Sequence, residues 1–449
     1  MASPLTTLIE QQFLIVPSFT LDYGITLHDV PVAYKTWGAL NSARDNVMVI
    51  CHAFTGSADV EDWWGPLMGR GKAFDPARFF IFCANVLGSP YGTASPVTVN
   101  PSTGKRYGPE FPPTTVRDDV RLHKAVLDAL GVRGVAVVIG GSMGGMAVLE
   151  WPLVMRDIGA GDEYVKRIVP LATSARHSAW CISWGEAQRQ SIYADPDYKN
   201  GYYFLDKEHS NMAEKQPKAG LAAARMAALL TYRSRDSFES RFGRREQPSG
   251  RGNARELGVM TPPESPRHKT FEDALVLHNN GHENNGQDKN KEDQPSIFSA
   301  QSYLRYQGDK FTARFDANCY IHITRKLDSH DVARGRATAP SDSALAQVLS
   351  TLPPALVIGV ATDGLFTISE QQLIARHIPR SELVVIPSED GHDGFLLEFE
   401  RINECVLRFL RGEFPGYYKK QEEREATSND FDIKKTSVFG EAEVNVANW

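Results

Sequence analysis

The sequence predicts an α/β protein built on a mostly parallel central β-sheet, and two observations carry this prediction. First, short and continuous apolar segments, of the kind buried on both faces of a parallel sheet, recur along the 449 residues. Second, helical patterns lie between such segments, as expected for strand–helix–strand units. The predicted buried strands are residues 47–51, 79–83, 135–139, 168–171, 356–360 and 383–386.

Two further strands are predicted before the parallel segments. Residues 13–16 form an apolar run, and a turn sequence at residues 22–24 precedes a second strand at residues 25–32. A helix is predicted over residues 118–130, where apolar side chains recur at a spacing of three to four, and Gly131 ends it.

The strand pattern stops over residues 173–336, which we expect to form a helical lid inserted into the sheet domain. Helical patterns at residues 219–232 and 302–314 favour this interpretation. The first part of the sheet domain is then expected to span residues 1–172, and the second part residues 337–412.

Two segments have a composition that disfavours a packed core. Residues 240–295, inside the lid, are rich in Asn, Gly and charged residues and are predicted to be disordered. The histidines His268, His278 and His282 lack cysteine partners and ligand spacing on a helix, so no metal site is predicted. Residues 413–449 are predicted to form a charged, solvated tail.

The composition is that of an ordinary globular protein, with 42% hydrophobic residues and a formal net charge of −6. This mild acidity argues against nucleic-acid binding. The lack of an 18-residue apolar run argues against a membrane span. The five cysteines are scattered, and no basic segment followed by an apolar stretch opens the chain, so we expect a cytoplasmic location.

The sharpest motif is Gly-x-Ser-x-Gly at residues 140–144, between a predicted strand and a helical run. A tight turn from strand to helix forces the serine backbone into a strained conformation, and the flanking glycines remove side chains that would clash. The hydroxyl then lies at a helix N-terminus, where backbone N–H groups favour developing negative charge. Ser142 is therefore the candidate nucleophile.

A serine nucleophile needs a base, and the base needs an orienting acid. In this arrangement the expected chain order is serine, acid, histidine, with acid and histidine each following a strand. Asp363 and His392 follow the last two predicted strands and are the candidate acid and base. Glu389 and Asp390 compete as the acid, but they follow the wrong strand. His52 fits a role in shaping its loop better than a role as base.

Two backbone N–H groups are expected to form an oxyanion hole. One belongs to Met143, directly after the nucleophile, and the other to a residue in the loop after an early strand. That loop is residues 52–57, and Phe54 is the predicted second donor.

Further segments occur in an order typical of one enzyme family. They are residues 32–38, 52–56, 85–88, 118–120, 140–151, 302–308, 315–318 and 391–396. In them the sequence resembles the homoserine O-acetyltransferases, which have the α/β-hydrolase fold. The resemblance covers roughly residues 15–415, apart from the segment 240–295.

The resemblance implies acetyl transfer from acetyl-CoA, as co-substrate, to the hydroxyl of L-homoserine in methionine biosynthesis. The acetyl group would pass through Ser142, with no bound cofactor. Arg225 and Tyr232 would bind the carboxylate of the acceptor, and Asp393 its ammonium group. Relatives also imply a homodimer formed through the lid. Phe54 stands where relatives commonly have Leu, which would narrow the acyl pocket.

Other acceptors and donors stay open at the level of sequence. L-serine or a metabolite similar to deacetylcephalosporin C is an alternative acceptor. Water is another, which would make the protein an esterase or a thioesterase. The amino-acid clamp of Arg225 and Asp393 favours transfer over hydrolysis. The sequence does not distinguish acetyl from succinyl donors.

Overall fold

A computed structural model describes residues 4–204, 215–245, 298–337 and 341–419. Its strands are β1 (Gln12–Thr20), β2 (Thr26–Trp37), β3 (Val47–Cys51), β4 (Phe80–Ala84), β5 (Val135–Gly141), β6 (Val165–Leu171), β7 (Ala355–Val360) and β8 (Ser381–Ile386). They form one sheet in the order β1-β2-β4-β3-β5-β6-β7-β8. The pairs β1–β2 and β2–β4 are antiparallel, and all other pairs are parallel. The predicted fold class is confirmed.

The eight strands occur where the sequence predicted them. The burial of each strand explains how closely its predicted ends match the observed ends. Every residue of β3, β4, β5 and β7 is buried, so the apolar run and the strand coincide. The edge strand β1 is longer than the predicted residues 13–16, because exposed and half-buried side chains alternate along it. Pro17 fits there, since an edge strand can lack one backbone N–H donor.

Helices connect and cover the strands. They are α1 (Val60–Trp64), α2 (Val116–Ala129), α3 (Met143–Asp157), α4 (Ala179–Tyr193), α5 (Lys218–Tyr232), α6 (Arg235–Arg241), α7 (Ser299–Thr312), α8 (Ala317–Asp328), α9 (Asp342–Leu349), α10 (Ile368–His377), α11 (Gly394–Leu397), α12 (Phe399–Glu413) and α13 (Pro415–Lys419). No helix in the described ranges is long and apolar enough to cross a membrane.

Alternate side chains of the central strands enter two separate apolar clusters. Val47 and Val49 of β3 pack with residues of α2 and α3, whereas Met48 and Ile50 pack with residues of α1 and α12. Because successive strand side chains point to opposite faces, helices cover the sheet on both sides.

Six of the described helices, α4 to α9, lie between β6 and β7, and the first five of them fall within residues 173–336, where the described residues form no strand. A third apolar cluster joins them to the sheet domain, with Phe311, Phe315 and Tyr320 packing around Phe54 and Met143. The helical segment therefore contacts the residues on either side of the predicted oxyanion hole.

Most of the predicted disordered segment 240–295 and most of the tail lie outside the described residues. Residues 246–297 and 420–449 belong to this part, and with them the three histidines of the insertion. Ser240 and Arg241 form the end of α6 and so are ordered, contrary to the prediction. The start of the predicted tail packs against the sheet domain instead of extending into solvent. Phe414 is buried, and the ring of Tyr417 lies 5.5 Å from that of Phe79.

Three buried side chains hold the backbone of residues 85–87, in the loop after β4. His52 accepts a backbone N–H through Nε2 at 3.1 Å, and His123 bonds a carbonyl at 3.1 Å. Asp119 Oδ1 accepts a hydrogen bond from the backbone N–H of Leu87 at 2.8 Å. Lys326 Nζ, on α8, donates to the two carboxylate oxygens of Asp119 at 2.7 and 2.9 Å. This buried ion pair ties the helical segment to the sheet domain.

The pKa values of the buried histidines predict an acid-labile fold. Burial lowers the pKa of His123 and of His330 to about 3. Both are neutral in the folded protein, but they take up protons below about pH 6.5 once the chain unfolds. The free energy of unfolding should therefore fall as the pH drops from about 6.5 towards 3, by about 1.4 kcal/mol per pH unit for each histidine.

Urea denaturation at about pH 7, 6 and 5 measures this slope. The substitution His123→Gln removes one titrating group, so its slope should be smaller by about one proton. An unchanged slope in this variant would show that His123 is not the source of the effect.

Candidate active site

Ser142 lies in the turn between β5 and α3, as the sequence predicted. Its φ and ψ are 58° and −126°, a conformation that an L-residue rarely adopts. The backbone is fixed from both sides: its N–H donates to the carbonyl of Leu171 at 3.0 Å, and its carbonyl accepts from Thr173 Oγ1 at 2.7 Å. The hydroxyl-bearing residue is thus held at the N-terminus of a helix.

The glycines of the motif allow backbone segments to approach closely. A Cβ at Gly144 would lie 2.1 Å from the carbonyl oxygen of Cys51, at the end of β3, and one at Gly140 would lie 2.7 Å from the backbone of Gly144. These clashes would involve backbone atoms, so the rotation of a neighbouring side chain could not remove them. The turn therefore requires glycine at both positions.

Asp363 and His392 form a buried hydrogen-bonded pair. His392 Nδ1 lies 2.7 Å from Asp363 Oδ2, and Asp363 Oδ1 accepts the backbone N–H groups of Leu365 and Phe366 at 2.8 and 2.9 Å. The carboxylate thus fixes the ring orientation and the Nδ1–H tautomer. Nε2 of His392 is buried and has no hydrogen-bond partner among the described residues.

A pocket lies beside Ser142 and two aromatic neighbours of His392. Its lining includes Ser142, Tyr232 and Phe366. The rings of Tyr232 and Phe366 lie 5.9 and 5.3 Å from the imidazole of His392. The two rings are therefore neighbours both of the imidazole and of the pocket that Ser142 lines. Trp184 and Gln188 of α4 also line this pocket, and the sequence analysis did not single them out.

The two predicted oxyanion residues line the same pocket. The N–H of Met143, at the first position of α3, and the N–H of Phe54 have no backbone acceptor within the described part of the chain. The ring of His52 braces the Phe54 loop, because Nδ1 bonds the carbonyl of Ala53 at 2.8 Å while Nε2 accepts from the loop after β4. His52 is therefore engaged in shaping its loop, as expected.

Arg225 and Tyr232 lie on one face of α5, two turns apart. The Arg225 guanidinium is 4% exposed and packs over the rings of Tyr232 at 5.7 Å and Phe311 at 5.0 Å. Within the described ranges Arg225 has no carboxylate within ion-pair distance, and its Nε has no hydrogen-bond partner. A buried cation without an anionic partner is costly, so this position suits an anionic ligand.

Asp393, next to the candidate base, has a partner that the sequence analysis missed. Arg233 Nε lies 2.7 Å from Asp393 Oδ2, an ion pair without the geometry of a hydrogen bond. Burial opposes the charged form of Arg233, but Asp393 and Asp390 outweigh it and raise its pKa. Asp390, considered above as a rival acid, pairs with Arg233 and not with His392. The only sequence signal was position: Arg233 directly follows Tyr232.

No group of three or more His, Cys, Asp or Glu side chains suited to a metal ion occurs in the described residues. The fold and the turn at Ser142 define the class of the protein as the enzymes with the α/β-hydrolase fold. The model of that fold family matches residues 46–399.

The comparisons with individual proteins identify a narrower group. The homoserine O-acetyltransferase of Cryptococcus neoformans var. grubii is 54% identical, over 100% of this chain and 97% of that protein. That of Saccharomyces cerevisiae is 49% identical, over 100% and 96%. The chain belongs to the homoserine O-acetyltransferase family.

Solved structures show the same fold at lower identity. A homoserine O-acetyltransferase from Bacillus anthracis matches with a TM-score of 0.68 and 22% identity, over 89% of this chain and 97% of that one. The esterase E22 matches with a TM-score of 0.68 and 25% identity, over 89% and 99%. Since these neighbours include a transferase and an esterase, the fold by itself does not define the acceptor.

The close approach at Gly144 gives a direct test of the turn. In Gly144→Ala, the new methyl group must displace the end of β3, so we expect a loss of stability of about 3 kcal/mol or more, or failure to fold. Gly412→Ala is the matched control, because nothing lies within 4 Å of its Cβ and it is in helix α12. Thermal unfolding followed by circular dichroism should separate the two variants, and equal midpoints would contradict the assigned backbone contact.

Proposed function

We propose that this protein transfers an acetyl group from acetyl-CoA to the hydroxyl of L-homoserine through an acyl-serine intermediate. The observation that carries the proposal is the buried guanidinium of Arg225, which stacks on Tyr232 at the edge of the Ser142 pocket and has no carboxylate partner in the described chain. An acceptor with its own carboxylate would complete this ion pair. Membership of the family supports homoserine as that acceptor.

In the first half-reaction, His392 Nε2 takes the proton of Ser142 as the hydroxyl oxygen attacks the thioester carbonyl. The N–H groups of Phe54 and Met143 stabilise the negative oxygen of the tetrahedral intermediate. As this intermediate collapses, the carbon–sulfur bond breaks and the protonated His392 returns its proton to the CoA thiolate. Asp363 stabilises the imidazolium throughout, and the acetyl ester stays on Ser142.

In the second half-reaction, homoserine enters the site after CoA has left, and the same catalytic residues act on it. Its carboxylate binds Arg225 and Tyr232, and its ammonium binds Asp393. His392 removes the proton of the acceptor hydroxyl, whose oxygen attacks the acetyl ester. The ester bond to Ser142 breaks, and the imidazolium returns a proton to the serine oxygen, which regenerates the free enzyme.

Water competes with homoserine for the acetyl-enzyme, and burial of the site limits that competition. Ser142 is only 8% exposed, and His392 and Asp363 are buried as well. We propose that the helical segment 173–336 acts as the lid that keeps the acyl-enzyme dry until the amino acid binds.

The packing around Phe54 supports acetyl over succinyl as the transferred group. The Phe54 ring lies 4.8 Å from that of Tyr320 and 6.3 Å from that of Phe315, so the space beside the oxyanion residues is filled by aromatic carbon. A succinyl group would bring its free carboxylate into this apolar region. Burying that charge without a partner is unfavourable by several kcal/mol.

The substitution Ser142→Ala tests the nucleophile. It should lower the rate of acetyl transfer by about four orders of magnitude or more, since the covalent route is lost. Intact-mass spectrometry after mixing with acetyl-CoA should show one acetyl adduct on the unsubstituted protein and none on the variant. Ser183→Ala is a suitable control, because Ser183 is an exposed residue of α4.

The same experiment separates transfer from hydrolysis. An adduct that persists until L-homoserine is added identifies a transferase. An adduct that decays to acetate at the same rate with or without homoserine identifies an esterase and overturns the proposal.

The substitution Arg225→Gln tests the acceptor clamp. The uncharged side chain cannot pair with a carboxylate, so we expect the KM for homoserine to rise by about 30-fold or more, with acetylation of Ser142 within about threefold of the unsubstituted protein. Lys218→Gln, an exposed position on the same helix, is the control. Equal slowing of both half-reactions would remove Arg225 as a ligand of the acceptor.

The homodimer formed through the lid and the cytoplasmic location stay predictions. Light scattering coupled to size-exclusion chromatography measures the first.

A further inference from the structure

Arg233 is a buried cation that pairs with two carboxylates beside His392. The proposed mechanism assigns it no role. Its side chain is 5% exposed. Nη1 lies 2.8 Å from Asp390 Oδ1, and Nε lies 2.7 Å from Asp393 Oδ2. These carboxylates stand two residues before and one residue after His392. One planar guanidinium therefore binds both sides of the segment that carries the candidate base.

The same contacts join the lid to this segment. Ser237 Oγ of α6 donates to Asp390 Oδ1 at 2.9 Å, and Ser234 Oγ donates to the carbonyl of Glu389. Gly391 has a φ of +67°, and a Cβ there would lie 2.5 Å from the backbone nitrogen of Ser234. The loop before the base thus lies directly against the end of α5 and the start of α6.

The position of Arg233 in the chain links the two ends of the acceptor. It directly follows Tyr232, the last residue of α5, and α5 also carries Arg225. Arg225 and Tyr232 are the residues assigned to the acceptor carboxylate. Arg233 also contacts Asp393, the residue assigned to the acceptor ammonium. One buried ion pair therefore connects the end of α5 to the residue assigned to the acceptor ammonium.

We propose that Arg233 is a positioning residue for acceptor binding, which orients the carboxylate of Asp393 towards the ammonium group of the amino-acid acceptor. This inference rests on the proposed function and deepens it. Before the acceptor binds, Asp393 is a buried carboxylate that needs a cation, and Arg233 supplies one. His392 has its own support from Asp363 on the other side, so Arg233 acts mainly on the second half-reaction.

The test compares Arg233→Gln and Arg233→Lys with Arg235→Gln. Arg235 is two residues away, 82% exposed and paired with its neighbour Asp236, so it controls for loss of positive charge at the surface. Acetylation of Ser142 by acetyl-CoA is measured in single turnovers, and transfer from the acetyl-enzyme is measured with L-homoserine and with 4-hydroxybutyrate, which lacks the amino group.

For Arg233→Gln we expect the KM for homoserine to rise at least about tenfold, with acetylation changed by less than about threefold. The preference for homoserine over 4-hydroxybutyrate should shrink by a similar factor. Lysine keeps the charge but reaches one carboxylate at a time, so Arg233→Lys should recover part of the preference. Arg235→Gln should leave both half-reactions unchanged.

Two outcomes would overturn the inference. One is an unchanged preference between the two acceptors in Arg233→Gln. The other is equal slowing of both half-reactions with no recovery by lysine, which would indicate a structural role alone.

If Arg233→Gln does not fold, Arg233→Lys and Asp390→Asn decide the question. The second keeps the contact with Asp393, so it should retain the acceptor preference, and loss of the preference there contradicts the inference. Failure of the proposed function looks different, because the unsubstituted protein would then transfer no acetyl group to homoserine.

Discussion

The close contact between α3 and the end of β3 is the constraint on which the site depends. Gly144 lies against the carbonyl of Cys51, and the loop that carries Phe54 begins directly after that carbonyl. The turn that strains Ser142 and the loop of Phe54, the proposed second oxyanion donor, are therefore positioned by one backbone contact. A side chain at Gly144 would separate them, so it would disturb the proposed nucleophile and the proposed oxyanion donor at the same time.

The parallel sheet explains why three candidate site residues could be predicted together from the sequence. The carboxyl ends of parallel strands meet at one edge, so residues following β5, β7 and β8 converge although they are far apart in the chain. Strand order and motif spacing lead to Ser142, Asp363 and His392 as one predicted group. The structure joins Asp363 to His392 by a hydrogen bond, and Tyr232 is a neighbour both of His392 and of the pocket that Ser142 lines.

The contacts of Arg233 could not be predicted in the same way. An arginine between two helices is usually exposed, and nothing in the local sequence indicates that this one faces two carboxylates of a distant loop. Its partners depend on how α5 and α6 pack against the segment before α11, which is a tertiary property.

The ends of strands at the sheet edge were also less predictable from the sequence. Strand β1 alternates between exposed and half-buried residues and carries only a weak apolar signal.

The aromatic contact between Phe54 and Tyr320 limits how the sequence of this region could diverge among relatives. The two rings come from separate regions, one after β3 and one in α8, and each fills space that the other would leave open. Shortening either side chain alone would create a void lined by the remaining ring. Repacking this region without loss of stability would therefore require paired substitutions in both regions, so single-step evolutionary routes would pass through less stable intermediates.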